Sequence, residues 1–162
     1  MARPKNSRRT FLTTVVPVLA LAAPAAAQPP SSSATQTTKK RVYRKLTPTS
    51  ITLKGQPLYS PELSFGNLVF VSGKGAGVNA AGDVQAQTKN VLDQIEESLT
   101  LAGSSMDKVL KVNVYLTDMN NFEGMNRAYI DRFGPEPPVR TTVAIVAVPD
   151  GSLVEIDCIA HI

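Results

Sequence analysis

The chain has 162 residues, 43% apolar and 19% charged, a composition that suits one globular domain with a tail. Its formal charge of +4 is unevenly placed: Arg3, Lys5, Arg8 and Arg9 precede every acidic residue, and without those four the chain holds 13 Lys and Arg against 13 Asp and Glu. The neutral balance from Gln28 onward argues against nucleic-acid binding, and one cysteine (Cys158) with one histidine (His161) excludes both an internal disulfide and an ordinary Cys/His zinc cluster.

Residues 1–27 read as an export signal. Ser7-Arg8-Arg9-Thr10-Phe11-Leu12 resembles the twin-arginine motif, an uncharged run extends from Phe11 to Ala23, and Ala25-Ala26-Ala27 offers small residues for cleavage before Gln28. The apolar run falls short of the ~20 residues that a membrane span needs, so no stable span is expected after cleavage. The expected destination is the periplasm or the exterior, with the cytoplasm as the alternative. Residues 28–45 are rich in Pro, Ser, Thr and Gln and close on Lys39, Lys40, Arg41, Arg44 and Lys45; they read as a disordered linker with a solvated basic end. The domain proper is expected over 46–162.

Ile51-Thr52-Leu53 is the first candidate strand, and Leu68–Ser72, bounded by Gly66-Asn67 and Gly73, the second. A loop with Gly75, Gly77, Gly82 and Asp83 follows. The spacing of Val91, Ile95 and Leu99, with Leu92 beside them, predicts a helix from Val84 to Ala102, stopped by Gly103. Over Val109–Leu116, Leu110, Val112, Val114 and Leu116 alternate with polar residues as one face of a strand. A second helix is expected over Asn121–Phe133, striped by Phe122, Met125, Tyr129 and Phe133 and ended by Pro135, Pro137 and Pro138. Val139–Val148 and Leu153–His161 are the last strands, expected to pair as a hairpin about Pro149-Asp150-Gly151. This ββαβαββ order implies an α+β domain, one mixed sheet with both helices on one face. The other face needs a cover, and a second copy of the chain is a natural one.

Several segments, taken together, resemble one family. Pro57-Leu58-Tyr59-Ser60 precedes Gly66-Asn67-Leu68-Val69-Phe70-Val71-Ser72-Gly73. Gly82-Asp83-Val84, Gln87-Thr88, Asn90 and Ala102-Gly103 follow, then Val112-Asn113-Val114-Tyr115-Leu116-Thr117-Asp118-Met119, Phe122, Met125-Asn126 and Tyr129. Pro137-Pro138-Val139-Arg140-Thr141-Thr142 and Val154-Glu155-Ile156 with Ile159-Ala160 complete the set. From about residue 50 to the C-terminus this collinear set resembles the RidA/YjgF family of small imine deaminases. The resemblance implies a chorismate-mutase-like fold, a homotrimer with active sites in clefts between subunits, and hydrolysis of enamine or imine intermediates such as 2-aminoacrylate to a 2-keto acid and ammonia.

That chemistry needs a group for the substrate carboxylate and a group for water. A guanidinium fork binds both carboxylate oxygens, and Arg140 stands where the family's carboxylate-binding Arg stands. A positioned carboxylate can orient or deprotonate the water, and Glu155 matches the family's catalytic Glu. Tyr59 matches a pocket Tyr and Asn126 a residue near the pocket. Ser72 and Gly73 end a strand whose N–H groups could meet a ligand. A protonated imine is already electrophilic, so no metal or organic cofactor is expected. Two positions depart from the pattern: Lys74 stands where many members have Gln, and Thr142 where many have Cys. Taken alone, Arg140 reads as a surface ion-pair partner. Glu155 alone reads as the solvent-facing member of the alternation Leu153, Glu155, Asp157, Ile159.

In a hairpin with a two-residue turn, Arg140 and Glu155 would share a face but lie six residues apart, on the order of 20 Å at ~3.3 Å per residue. A three-residue loop would put them on opposite faces. Either register implies that the working pocket takes groups from a neighbouring subunit. The alternative to the deaminase is a non-catalytic module that holds a small carboxylate on Arg140. A ribonuclease is poorly supported, because the chain from Gln28 onward carries no net positive charge and has no pair of histidines.

Overall fold

The computed structural model describes residues 39–43, 52–53, 55–78 and 80–162. The segment read as an export signal and most of the segment read as a linker lie outside them. In chain order the elements are β1 (Arg41–Val42), β2 (Thr52–Leu53), β3 (Gln56–Pro57), β4 (Glu62–Phe65), β5 (Leu68–Gly75), α1 (Val84–Leu101), β6 (Val109–Leu116), α2 (Phe122–Tyr129), β7 (Val139–Ala144) and β8 (Val154–His161). Six strands form one mixed sheet in the order β1-β4-β5-β8-β6-β7, and β2 and β3 form a separate small hairpin. This is the expected α+β architecture, with a chorismate-mutase-like sheet and two helices.

Helix α1 starts where Asp83 caps it, its Oδ1 accepting from the Ala86 N–H at 3.0 Å. Its apolar stripe is the predicted one: Val91, Leu92, Ile95 and Leu99 are fully buried, each side chain contributing about 1.5–3 kcal/mol. They pack on Val112, Val114 and Leu116 of β6 and on Val154, Ile156, Cys158 and Ala160 of β8. Helix α2 closes onto α1 at Gly124, where a Cβ would collide with Val84. It is shorter than expected. The backbone turns extended at Ile130 and left-handed at Asp131 (φ 62°), so Phe133 reaches the core from beyond the helix.

Three strand expectations need correction. First, the last two strands do not form a hairpin. β7 lies at the sheet edge, parallel to β6, because α2 carries the chain across as a βαβ crossover. β8 inserts antiparallel between β5 and β6. Pro149-Asp150-Gly151 is a tight turn, but the strands on either side of it find different partners. Second, Leu110 does not join the buried face of β6. The register shifts between Val109 and Lys111, which leaves Leu110 exposed and puts Val109 in the core. Third, the strand beside β5 is Glu62–Phe65, which the sequence reading passed over, while Thr52–Leu53 pairs only with Gln56–Pro57. Arg41–Val42, at the end of the segment read as linker, extends the sheet beside β4, and the Tyr43 hydroxyl lies 2.9 Å from Ser64 Oγ.

The face of the sheet away from the helices carries Phe65, Phe70, Val139 and Val143 from β4, β5 and β7. Val139 is 69% and Val143 41% exposed. Among the described residues nothing covers this face.

Candidate active site

Alternation along β8 buries Val154, Ile156, Cys158 and Ala160 and turns Glu155, Asp157, Ile159 and His161 to the open face. Glu155 lies opposite Tyr115 of β6 and Gly75 of β5. β5 bulges between Val71 and Lys74, which brings Gly73 against the Glu155 carboxylate so closely that a Cβ there would collide with Oε1. A cleft of about 570 Å³ opens at this point, lined by Tyr59, Ser72, Gly73, Lys74, Asp150 and Glu155 among others. Ser72 Oγ is buried there without a hydrogen-bond partner among the described residues. Burial first, then the charge of Asp157, holds the Glu155 carboxyl above its ordinary value.

The walls of the cleft are tied down from behind. Gln87 of α1 accepts from the Leu153 N–H at 2.8 Å and donates to the carbonyls of Ala80 and Gly82. Ser152 Oγ accepts from the Ala76 N–H at 2.9 Å and donates to Val154 O at 2.7 Å. One glutamine and one serine thus join the loop after β5 to the turn before β8. Lys74, with a side chain 12% exposed, turns its ammonium toward Glu62, 3.9 Å from Oε2, and Glu62 is fully buried. A buried ion pair needs good partners on both ions, so this pair fixes the floor of the cleft.

Arg140 stands elsewhere. In the parallel pairing of β6 and β7 it lies opposite Val112, on the helix-covered face, whereas Tyr115, the partner of Glu155, belongs to the open face. The two candidate catalytic groups of one protomer therefore occupy opposite faces of the sheet. This is one of the two separations expected, reached through a topology without the hairpin. The Arg140 guanidinium lies 4.6 Å from the Tyr129 ring centroid and 5.7 Å from that of Phe122, with Nη1 3.9 Å from Met125 Sδ. It makes no ion pair among the described residues. Burial pushes the Tyr129 phenol up to about 12 against the lowering effect of Arg140. Asn126 lines a second cavity of about 340 Å³ with Tyr129 and Phe133. Thr142 is two residues along β7 from Arg140, its Oγ1 buried and without a hydrogen-bond partner among the described residues.

Of the seven residues singled out from sequence, Tyr59, Ser72, Gly73 and Glu155 meet in one cleft, while Arg140, Asn126 and Thr142 gather on the side of α2. The sequence reading missed Gln94 and Asp150 as lining residues and Gln87 and Ser152 as their supports.

The model of the family described as Endoribonuclease L-PSP matches residues 52–162. A RutC family protein of Pyrococcus horikoshii is 39% identical over 108 residues, which cover 64% of this chain and 86% of that protein. The mitochondrial protein mmf2 of Schizosaccharomyces pombe is 39% identical over 108 residues, 63% of this chain and 86% of its own. Among solved structures, YyfA of Yersinia pestis, of the conserved Rid protein family, superposes with a TM-score of 0.66 at 33% identity, covering 76% of this chain and all of that one. RidA from an Antarctic Psychrobacter gives 0.63 at 29% identity, covering 72% and 97%.

Proposed function

This chain belongs to the endoribonuclease L-PSP family, the RidA/YjgF group, and on that premise we propose that it hydrolyses small 2-imino acids and their enamine tautomers to 2-keto acids and ammonia. The observation that carries the reading is the Glu155 carboxylate, set in a cleft against a glycine and left without a hydrogen bond among the described residues. A carboxylate so placed can take a proton from water as the oxygen bonds to the imine carbon and the C=N π pair moves to nitrogen. The same carboxylic acid can return that proton to the amine; the C–N bond then breaks and ammonia leaves as the new hydroxyl gives its proton back to the carboxylate and its electron pair closes the keto C=O bond. Arg140, exposed and held over two aromatic rings, would anchor the substrate carboxylate through its two-pronged donor set.

Because Arg140 and Glu155 of one protomer lie on opposite faces, the working pocket takes them from two copies of the chain, most simply in the homotrimer that the family resemblance implies. The second copy also covers the open apolar face. The basic, uncharged and small-residue sequence of residues 1–27 directs the protein out of the cytoplasm in this reading; cell fractionation with N-terminal sequencing tests that part.

The test of the activity is direct. An imino acid is generated by an amino-acid oxidase or dehydratase, and keto-acid release is followed with and without the protein. Wild type is expected to accelerate release. Glu155→Ala is expected to lose roughly 100- to 10,000-fold in rate while still binding a keto acid, and Arg140→Ala to lose binding as well. Absence of acceleration by wild type, with keto-acid binding retained, would replace this reading with the non-catalytic carboxylate-binding module, which the placement of Arg140 and Glu155 on opposite faces of one protomer favours.

A further inference from the structure

Two carboxylates share the open face of β8, Glu155 and Asp157, two residues and therefore ~7 Å apart along the strand. Their surroundings differ. Asp157 accepts hydrogen bonds from Asn113 Nδ2 at 2.9 Å and from the Tyr115 hydroxyl at 3.0 Å. Both donors sit on β6, Asn113 directly opposite Asp157 and Tyr115 opposite Glu155, so the antiparallel register itself aims them. Two donors on one carboxylate fix its position and orientation. Glu155 receives no such bond among the described residues, packs on Gly73 and faces the cleft.

The other ionisable groups around Glu155 are accounted for. Tyr115, across on β6, gives its proton to the bond with Asp157, and its phenol is held above its ordinary value by burial and by that bond. Lys74 on β5 turns to Glu62. Tyr59 and Asp150 line the cleft from the segment before β4 and from the turn before β8. When two carboxyl groups stand in unlike environments, the proton goes to the one with fewer donors.

We propose that Asp157 is a positioning residue: its carboxylate, held by Asn113 and Tyr115, directs its field onto Glu155, the group of the cleft that takes up and releases the proton. The inference rests on the catalytic reading of Glu155 and adds the division of labour between the two acids. A fixed negative charge beside the cleft also favours a cationic substrate, so the iminium form is the species taken from solution.

The experiment follows both carboxyl carbons by ¹³C NMR titration of the full chain, with Glu155→Gln used for assignment. Glu155 is expected to titrate above the ordinary carboxyl value. Asp157→Asn is expected to move the Glu155 midpoint down, Asp157→Glu to restore it, and Asp150→Asn to leave it in place. In wild type, added salt is expected to lower the same midpoint, because it screens the field of Asp157; this needs no variant that could misfold. The acid limb of kcat/KM against pH is expected to move with the midpoint in each protein. An unmoved Glu155 midpoint in a folded Asp157→Asn protein, or a wild-type midpoint that does not respond to salt, overturns the proposal. If the midpoints behave as expected and no imine is hydrolysed at any pH, the proposed function fails while the coupling of the two acids stands.

Discussion

At Gly73 the backbone conformation would tolerate alanine, yet an added methyl would occupy the place of the Glu155 carboxylate. Gly73→Ala is therefore expected to keep the fold and lose on the order of 100-fold in rate, the scale of an ångström-sized misplacement of a reacting group; kinetics alongside a melting curve separates the two effects. Wild-type turnover in a stable Gly73→Ala protein would show that the seating of Glu155 does not matter. The carboxyl itself has a second signature. Burial raises its titration in the folded chain above the ordinary 4.5, so folding favours the protonated form. The stability this group contributes is full at pH values below its unfolded pKa and is lost as pH rises through its folded one. Glu155→Gln removes that loss and is expected to melt higher than wild type at pH 7, with the advantage shrinking toward pH 4. A variant that is equally stable at pH 7 would mean that Glu155 is as well solvated folded as unfolded. Glu155 was legible from the motif, whereas the role given to Asp157 was not: alternation puts it on the same face, but only the register with β6 reveals its two donors.

Among the elements, α1 was readable almost to the residue, because a 3.6-residue stripe and a capping aspartate are local properties of the chain. Pairing is not local. Val139–Val148 and Leu153–His161 flank a turn sequence, and a turn reports that the chain reverses without saying what lies beside it. The separation of Arg140 from Glu155 could be stated from sequence, but its true cause, the insertion of β8 between β5 and β6, could not. Glu62–Phe65 escaped notice because its buried positions are Glu62 and Ser64, which spoil the apolar alternation until Lys74 and Tyr43 are seen beside them. The Gln87–Ser152 network is the support that joins α1 to both walls of the cleft. Gln87→Leu leaves the Leu153 N–H, which Gln87 holds, without its acceptor and is expected to cost about 1–3 kcal/mol. Amide exchange is expected to accelerate at residues 75–82 and 151–154, with α1 itself still protected; unchanged exchange in those two loops would contradict the supporting role.

At the scale of the molecule, the split of the two candidate groups over opposite faces makes assembly a requirement of the activity proposed above. Arg140→Ala and Glu155→Gln proteins, each inactive alone, are expected to regain part of the wild-type rate when unfolded and refolded together, since some mixed clefts then hold both intact groups. Mixtures as inactive as the separate variants would place the whole site in one protomer. Collinear motifs from about residue 50 onward made the family legible, and the fold with it; the open face of Phe65, Phe70, Val139 and Val143 was foreseen only as a face that needs a cover. One further property follows from the placement of Cys158, the only thiol in the chain, on the core side of β8 between Val71 and Val112. Burial first, and then Asp157, push this thiol up to about 12, so it is almost wholly protonated at neutral pH. A disulfide reagent can reach it only when the packing of the helices on the sheet opens. The protein thus carries its own single-site clock: the rate at which native chains capture such a reagent reads the frequency with which the core between helix and sheet comes apart.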